Sequence, residues 1–372
     1  MNKSPLIGIV GCGGKVGSIV IDMLVEKYKI RGGQRSPCTT IYSDDRFKWK
    51  YLDIYDDDSL TEFCNDCDAI LNCSGPSYLI KDRVAYFAMK AGAKYIDAFG
   101  DRIVKEKIKS KNYDLNNLFI LSAGCFPGLS SLATMWFSNR YFSSVNEITI
   151  YSGGNESFSK TSCKDVVLSS INGFGKADSY YLNGGIIKDL KKYDNLINLY
   201  GSKYPVYLQS FFSEELYKIA SDLKVEKAHW YNISTDKTKW EKLSYICRNV
   251  ISGEKNDINE IINDSKLDFN NNPNDQWYSF IIDITGTSYD KPIRKRLILR
   301  CLNSYILTSI VSSITVEYAL KSEERGVFYA SQLLLDDKTM RYIFNNEKVN
   351  CEIIDLPLDY KDKTNLFQEG EI

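Results

Sequence analysis

Short, largely apolar runs separated by helix-forming segments dominate the first 130 residues. Runs of this kind are typical of strands in a parallel sheet that is covered on both faces, and in chain order they are Leu6–Val10, Tyr28–Arg35, Trp49–Asp53, Ala69–Cys73, Lys94–Ala98 and Phe119–Ala123. Between them, Ser59–Cys67, with Ser59 as its expected cap, and Arg83–Ala91 are predicted helices. This regular alternation predicts an α/β fold with an N-terminal Rossmann domain built on a parallel sheet.

The pattern changes after a predicted helix at Ser130–Trp136. Longer strands of alternating polarity follow at Glu147–Ser152, Ser279–Thr287 and Arg294–Leu302. The last two flank a short turn and predict a hairpin. A mixed or antiparallel sheet with helices on one face is therefore expected for the second domain, which is also of α/β type.

Three further segments complete the predicted organisation. Ser169–Gly185 has the glycines and aromatic residues of a loop that reaches over a cleft, and Gly253–Pro273 is polar enough for an exposed insertion. Ser304–Lys321 is predicted to be a helix that is apolar on one side and packs on the first domain. We therefore expect a Rossmann domain at residues 1–128, a second domain at 129–303, and a segment at about 304–340 that returns to the first domain.

Composition narrows the classes of partner. The 372 residues are 44% hydrophobic and 26% charged, with a formal net charge of −1. This balance gives no reason to expect nucleic acid or an anionic membrane surface as a partner. No stretch is apolar for about 18 residues, and the N-terminus runs directly into the first strand, which leaves no room for a signal peptide. We expect a cytoplasmic protein.

The ten cysteines are scattered, and in a cytoplasmic protein we expect them to be reduced thiols. Cys64 and Cys67 form one C-x-x-C pair, but no second pair or nearby histidine completes a zinc site. We therefore expect no metal. Packing at a helix end is the favoured role of this pair, and a redox pair is the alternative.

A glycine-rich turn carries the clearest functional signal, and its four glycines are Gly11, Gly13, Gly14 and Gly17. Gly11 allows the tight turn, Gly14 lets the backbone approach a pyrophosphate, and Gly17 lets the helix and strand pack closely. The amides of Gly13, Gly14, Lys15 and Val16 are then expected to point at the phosphates, assisted by the helix dipole. The turn predicts a dinucleotide site, and the alternative is a structural turn that binds nothing.

The residues after the second strand favour NADP(H) over NAD(H). An NAD site has an acidic residue about 20 residues past the first glycine, whereas here Arg35 and Ser36 occupy this region. A guanidinium and a hydroxyl suit a 2′-phosphate, which a carboxylate would repel. The alternative is that Arg35 is a solvated surface residue and that Asp44 or Asp45 contacts the ribose.

Two other strand ends are predicted to contact the cofactor, because ligands of open α/β sheets bind beyond the carboxyl ends of the strands. Asp53 ends the third strand near the expected adenine. The turn after the fourth strand is placed to meet the nicotinamide half, and its residues are Asn72, Cys73, Ser74, Gly75 and Pro76.

Asp97, at the carboxyl end of the fifth strand, is the best-placed catalytic candidate. A carboxylate there would orient a substrate beside the cofactor and stabilise a positive charge on it. The alternative is a carboxylate that caps the following turn. Phe99 and Asp101 follow directly and are predicted substrate contacts.

Other candidates come from later in the chain. Cys125 could touch substrate, although a packed thiol is the alternative that we favour. Lys160 and Tyr180, or Tyr181, are possible proton donors. His229 is the sole histidine and lies among aromatic residues in a predicted strand, so packing is its favoured role.

Four stretches together resemble the saccharopine dehydrogenase (saccharopine reductase-like) family of NADP-dependent oxidoreductases: GCGGKVG at 11–17, LNCSGPS at 71–77, AMKAGAKYIDAFGD at 88–101 and SAGCFPGLSSL at 122–132. The segment at 306–334 is similar to the C-terminal helix of the same group. The resemblance implies NADPH-linked reduction of a carbon–nitrogen double bond and a homodimer formed through the second domain, and it supports Asp97 through the family's Y-x-D pattern. The sequence departs from the family in lacking an identifiable cluster of arginines for a substrate's carboxylates, which leaves the substrate open.

The sequence therefore predicts an NADPH-dependent reductase that acts on an imine or thiazoline-like C=N bond of an amino-acid or peptide-derived substrate. One alternative is an amino-acid or polyamine dehydrogenase that works oxidatively. A second is a non-catalytic NADP-binding sensor or partner subunit. A third is a metal or thiol-redox protein built on Cys64 and Cys67.

Overall fold

A computed structural model describes residues 4–37, 46–111, 113–157, 159–189, 196–253, 257–265 and 275–364. The chain divides into two compact units. The first contains Met1–Ala133 and Tyr305–Ile343, and the second contains Thr134–Ser304 and Phe344–Ile372.

The strands, in chain order, are β1 (Leu6–Val10), β2 (Lys29–Gln34), β3 (Phe47–Tyr51), β4 (Ala69–Asn72), β5 (Lys94–Asp97), β6 (Leu118–Leu121), β7 (Ser144–Asn155), β8 (Gly175–Ala177), β9 (Ser179–Leu182), β10 (Gly185–Lys188), β11 (Ile197–Asn198), β12 (Tyr207–Ser213), β13 (Lys227–Ser234), β14 (Trp277–Ser288), β15 (Lys291–Cys301), β16 (Gly326–Tyr329), β17 (Asn350–Leu356) and β18 (Lys363–Thr364).

The helices, in the same order, are α1 (Lys15–Leu24), α2 (Asp57–Cys64), α3 (Ser77–Ile80), α4 (Arg83–Lys90), α5 (Arg102–Ser110), α6 (Leu129–Tyr141), α7 (Lys160–Ile171), α8 (Glu214–Asp222), α9 (Thr238–Ser252), α10 (Ile258–Asp264), α11 (Ser304–Lys321), α12 (Ala330–Leu333) and α13 (Asp337–Phe344).

The first unit is built on a parallel sheet with the strand order β16-β6-β5-β4-β1-β2-β3. Every pairing in it is parallel, and the four residues of β4 are all buried, as are those of β6. Continuous burial of this kind explains the apolar runs in the sequence. The predicted Rossmann-type sheet is therefore confirmed, and β16 adds a strand that the sequence did not reveal.

One helix start differs from its prediction. The N-cap of α2 is Asp56, whose carboxylate accepts hydrogen bonds from the N–H groups of Asp58 and Ser59. Ser59 instead accepts a hydrogen bond from the N–H of Asp53 through its hydroxyl. A carboxylate at the cap also interacts favourably with the helix dipole, which explains why Asp56 takes this position.

Helix α11 is buried around most of its circumference, so the prediction of a single apolar side was wrong. Its hydroxyl groups are satisfied inside the first unit: Ser309 Oγ donates to the carbonyls of Tyr305 and Val16, and Ser312 Oγ donates to the carbonyl of Ala123. These bonds let serines occupy an otherwise apolar position without a large desolvation cost.

The second unit contains a mixed sheet whose main path is β10-β9-β13-β7-β14-β15-β17, with β12 and β8 paired beside it. β7 and β13 are parallel, whereas β14 pairs antiparallel with both β7 and β15. Tyr289 and Asp290 form the turn between β14 and β15, and both have positive φ angles, of 49° and 61°. This is the backbone geometry of a tight two-residue turn, and it confirms the predicted hairpin.

Two segments predicted to lack regular structure are in part helices and strands. The segment 169–185 contains the end of α7, then β8 and β9, so the prediction of a loop over a cleft was wrong. Within the predicted insertion, α10 buries Ile261 and Ile262 against α7 and α9. The hydrophobic contact across these three helices outweighs the polar composition of the segment.

Candidate functional site

The glycine-rich turn of the first unit joins β1 to α1 with the geometry that a dinucleotide site needs. Gly11 has a φ of +79°, which glycine adopts without strain. A Cβ on Gly17 would lie 2.3 Å from the carbonyl oxygen of Gly11, so any side chain there would separate the helix from the turn. Gly13, Gly14 and Lys15 are exposed, which leaves the outer face of the turn open to a ligand.

The amides of this turn differ in part from the prediction. The N–H of Gly13 donates to Gln34 Oε1 at 2.7 Å, and the N–H of Gly14 donates to the carbonyl of Gly11 at 3.0 Å. The expectation that all four amides from residue 13 to 16 are free for phosphate was therefore wrong for these two. The N–H groups of Val16 and Gly17 lie in the first turn of α1, where a helix supplies no acceptor of its own.

Gln34 is a site residue that no pattern in the sequence indicates. It is the last residue of β2, and its side-chain amide lies across the glycine turn. A Cβ on Gly13 would lie 2.4 Å from Gln34 Oε1, which shows how closely the two approach. A cofactor whose phosphates use the Gly13 amide must displace this side chain.

The predicted 2′-phosphate residues lie just beyond β2. Arg35 and Ser36 are exposed, and no described carboxylate forms an ion pair with Arg35. Asp53 lies beyond the end of β3, is half-buried, and accepts a hydrogen bond from the N–H of Tyr55. The alternative ribose ligands Asp44 and Asp45 lie outside the described residues.

The turn after β4 packs directly against the glycine turn. The position of a Cβ on Gly11 is 3.1 Å from the N–H nitrogen of Ser74. Asn72 Oδ1 accepts hydrogen bonds from both the N–H and the hydroxyl of Ser74, at 3.1 and 2.5 Å. The N–H of Cys73 donates to the carbonyl of Val10, and Gly75 and Pro76 continue to the start of α3. The first unit thus brings the two predicted cofactor turns together.

Asp97 is 1% exposed and lies at the centre of a buried hydrogen-bond network. Its Oδ1 accepts the N–H groups of Phe99 at 2.9 Å and Gly100 at 2.7 Å. Its Oδ2 accepts the Tyr95 hydroxyl at 2.5 Å and Asn72 Nδ2 at 3.2 Å. This arrangement is that of a carboxylate that caps the following turn and fixes Asn72, which is the alternative role.

Burial raises the pKa of both ionisable groups in this network, Asp97 and Tyr95. Desolvation raises the pKa of Asp97 above its usual range, and the hydrogen bonds from Tyr95, the two backbone amides and Asn72 oppose that shift. Burial, together with the charge of Asp97, also raises the pKa of Tyr95 well above normal, so that its phenol stays protonated and donates. The catalytic role of Asp97 stays a prediction, and the contacts give it a positioning role toward Asn72 and the turn at Phe99.

The predicted substrate residues of the first unit have structural contacts as well. Phe99 is half-buried next to Asp97. Asp101 caps α5 by accepting the N–H of Ile103, and it also accepts the hydroxyl of Tyr78 at 2.5 Å. Cys125 is buried, and its N–H donates to the hydroxyl of Thr308 on α11. Substrate contact by these residues stays a prediction.

In the second unit, the predicted proton donors occupy different elements. Lys160 is the first residue of α7, and its ammonium binds Asn263 Oδ1 at 3.1 Å. Tyr180 on β9 stacks on His229, with 4.6 Å between ring centroids, and His229 stacks in turn on Tyr231 at 5.5 Å. His229 is therefore packed between two aromatic rings.

Cys64 and Cys67 lie at the end of α2 and just after it, and both are buried. Burial raises the pKa of Cys64 to about 12 and that of Cys67 to about 11, so neither is a thiolate at neutral pH. Among the described residues, no group of three histidine, cysteine or acidic side chains is arranged to hold a metal ion. Among the same residues, no helix has the length and apolar character needed to cross a bilayer.

The chain is similar to known proteins in sequence over part of the first unit and in fold over most of its length. Residues 7–118 match the family described as saccharopine dehydrogenase NADP binding domain. Apo saccharopine dehydrogenase (L-Glu forming) from Saccharomyces cerevisiae has a TM-score of 0.70 at 12% identity, covering 95% of this chain and 100% of that chain, a likeness that shows the fold. DAP dehydrogenase from C. glutamicum has a TM-score of 0.47 at 15% identity, covering 92% and 99%. No curated protein sequence matches the chain.

The family match and the open glycine turn together identify the first unit as an NADP(H)-binding domain. The residues present fit the cofactor, because the turn holds glycine where a side chain would block the approach of a diphosphate and the region after β2 holds a cation instead of an acid.

Proposed function

We propose that this chain is an NADP-dependent oxidoreductase of the saccharopine dehydrogenase-like type and that it reduces a C=N bond in an amino-acid or peptide-derived substrate. NADPH supplies the hydride when it is bound. The single observation that carries the cofactor half of the proposal is the pairing of an open glycine turn at the end of β1 with Arg35 after β2.

The chemistry of the first unit favours C=N over C=O as the reduced bond. Reduction of a carbonyl needs a proton donor at the oxygen, whereas an imine nitrogen is basic enough to arrive already protonated. The phenol of Tyr95 donates to Asp97, and its pKa is raised, so it is poorly suited to acid catalysis. The chain's one histidine, His229, is packed between the rings of Tyr180 and Tyr231.

In this proposal, the residues at the strand ends position the reacting groups. Asp97 holds the turn at Phe99 and Gly100, and Asn72 holds the turn at Ser74. Rigid turns beside the nicotinamide would fix the hydride donor against the substrate. Correct placement of these two groups is the main requirement of hydride transfer to an iminium. A homodimer and a cytoplasmic location remain parts of the proposal.

The test measures cofactor preference first and turnover second. Fluorescence titration should give tighter binding of NADPH than of NADH. NADPH should then be consumed with cyclic imines or thiazoline-bearing peptides and spared by the matching ketones. Tight binding of NADPH without turnover of any C=N or C–N substrate, in either direction, would instead identify a non-catalytic NADP-binding protein. Turnover of ketones at the same rate would refute the choice of bond.

A further inference from the structure

The second unit contains a cavity of about 600 Å³, and all of the residues that line it belong to that unit. Its walls are the loop at 198–205, the adjoining ends of β14 and β15, and the segment at 360–363. A volume of this size is that of a small-molecule site. None of the residues predicted from the sequence to bind cofactor or substrate lines it.

The described lining of this cavity is strongly cationic. Its charged members are Lys203, Arg300, Lys361 and Lys363, and no described lining residue is acidic. Lys203 binds Asp275 at 3.3 Å and Arg300 binds Glu352 at 3.0 Å, so two of the four charges are compensated nearby. Lys361 and Lys363 are exposed and have no ion-pair partner among the described residues. The cavity therefore favours an anion.

Aromatic residues form much of the remaining wall. Trp277 and Tyr204 meet edge to face, with 6.3 Å between ring centroids, and Tyr360 lies on the opposite segment. Trp277 is 5% exposed, and its indole N–H has no hydrogen-bond acceptor among the described residues. The aromatic wall therefore favours a ligand that carries a flat apolar ring.

A buried charge cluster holds the two walls in place. Arg296 is 0% exposed, and its guanidinium forms two hydrogen bonds to Asp283, at 2.5 and 2.7 Å, and two to Asp362, at 3.0 and 2.8 Å. Asp362 Oδ1 also accepts the N–H of Tyr200 at 2.9 Å. One carboxylate thus ties both the loop at 198–205 and the segment at 360–363 to the sheet. Buried pairs of this kind specify geometry more than they add stability.

We propose that this cavity binds a small anion carried on a flat ring, an aryl carboxylate or aryl phosphate, with its ring against Trp277 and its charge at Lys361 and Lys363. The anionic group meets the two lysines that have no partner, and the ring replaces water at the aromatic wall. The proposal does not depend on the oxidoreductase activity, and its test involves no turnover.

The experiment uses the full chain with ¹⁵N-labelled tryptophan, and the indole resonance of Trp277 is assigned through Trp277→Phe. Benzoate and phenyl phosphate are the probes, with inorganic phosphate as the ion alone and benzyl alcohol as the ring alone. We expect both probes to shift the Trp277 resonance saturably, while neither control does so at the same concentration. The tighter-binding probe of the two then shows whether the cavity prefers a phosphate or a carboxylate.

The matched variants are the double substitution K361Q and K363Q and the control Lys348→Gln, another exposed lysine of the second unit. The double variant should weaken probe binding by roughly three- to tenfold, the range for two exposed charges, whereas Lys348→Gln should not. The resonance of Trp230, whose indole donates to Asn232 Oδ1, reports in the same spectrum that the unit stays folded. No saturable shift at Trp277, equal binding of inorganic phosphate, or equal loss in both variants would overturn the proposal.

Discussion

Replacing Asp97 by asparagine tests whether this carboxylate is a catalyst or a positioning group. The substitution keeps the size of the side chain and removes one hydrogen-bond acceptor. With the amide oxygen facing the N–H groups of Phe99 and Gly100, the new NH₂ group occupies the place of Oδ2, opposite Asn72 Nδ2. Tyr95 can reorient its hydroxyl and accept, but Asn72 then has a buried donor without an acceptor.

The magnitude follows from that one donor. A buried donor left without an acceptor costs about 1–3 kcal/mol. One kcal/mol shifts the melting temperature of a unit of 150–250 residues by about 2–4 °C, so Asp97→Asn should lower that of the first unit by roughly 2–12 °C. Asn72 cannot simply turn over, because its Oδ1 already accepts the N–H and hydroxyl of Ser74.

The pH dependence of this effect has a definite sign. Because burial raises the pKa of Asp97, the folded state holds the proton more tightly than the unfolded state. The stability that comes from this proton is fully present below the unfolded pKa and is lost as the pH rises through the folded pKa. The asparagine variant lacks this dependence. The difference in melting temperature between the wild type and Asp97→Asn should therefore narrow as the pH is raised from acidic to neutral.

The assay combines thermal unfolding across pH with NADPH titration and steady-state kinetics. A positioning role predicts that Asp97→Asn raises KM or the dissociation constant of NADPH with a smaller effect on kcat, and that Tyr95→Phe gives a weaker version of the same pattern. Loss of kcat by several orders of magnitude, with melting temperature and NADPH affinity equal to those of the wild type at every pH, would refute the positioning argument and restore the catalytic one.

Other variants test the remaining contacts. Arg35→Ala should weaken NADPH by roughly tenfold or more through loss of a charge-assisted contact, with NADH unchanged in the same fluorescence titration; equal losses would remove Arg35 from the phosphate site. Gly14→Ala should leave the melting temperature nearly unchanged, because the new Cβ has one contact, 3.2 Å from a backbone oxygen, yet lower NADPH affinity, whereas Gly17→Ala should lower both; an unaffected affinity for Gly14→Ala contradicts the close approach of the diphosphate. Arg296→Met should destabilise the second unit by about 3–5 kcal/mol, because the buried Asp362 loses its ion pair and Asp283 keeps only that with Arg294; wild-type unfolding by urea would show that the cluster is dispensable.

The parallel sheet was predictable because its strands are buried throughout and are separated by regular helices. Composition was misleading where single contacts decide the structure. Gly175, in the predicted loop, is the first residue of β8. A Cβ at this position would be 2.3 Å from the ring of Phe211, and the absence of a side chain permits this close approach within a strand. In α10, Ile261 and Ile262 are the buried residues of a polar segment, so the hydrophobic signal was too short to detect.

The candidate site divides in the same way between local and long-range determinants. Tyr95 and Asp97 are two residues apart on one strand and therefore share a face, which the sequence can reveal. Asn72 joins them only because β4 and β5 pair in the register that sets Asn72 beside Asp97. The contact of Gln34 with Gly13 depends on how two turns approach in space. Single-sequence patterns carry no record of such pairings, and the cavity of the second unit depends on three separate segments.

A crystal structure of the complex with NADP⁺ would decide whether the glycine turn binds the cofactor. We expect diphosphate oxygens within hydrogen-bond distance of the backbone N–H groups in the first turn of α1, the side chain of Gln34 moved away from Gly13, and the 2′-phosphate against Arg35. A complex in which the bond from Gly13 to Gln34 is intact and the cofactor lies elsewhere would contradict it.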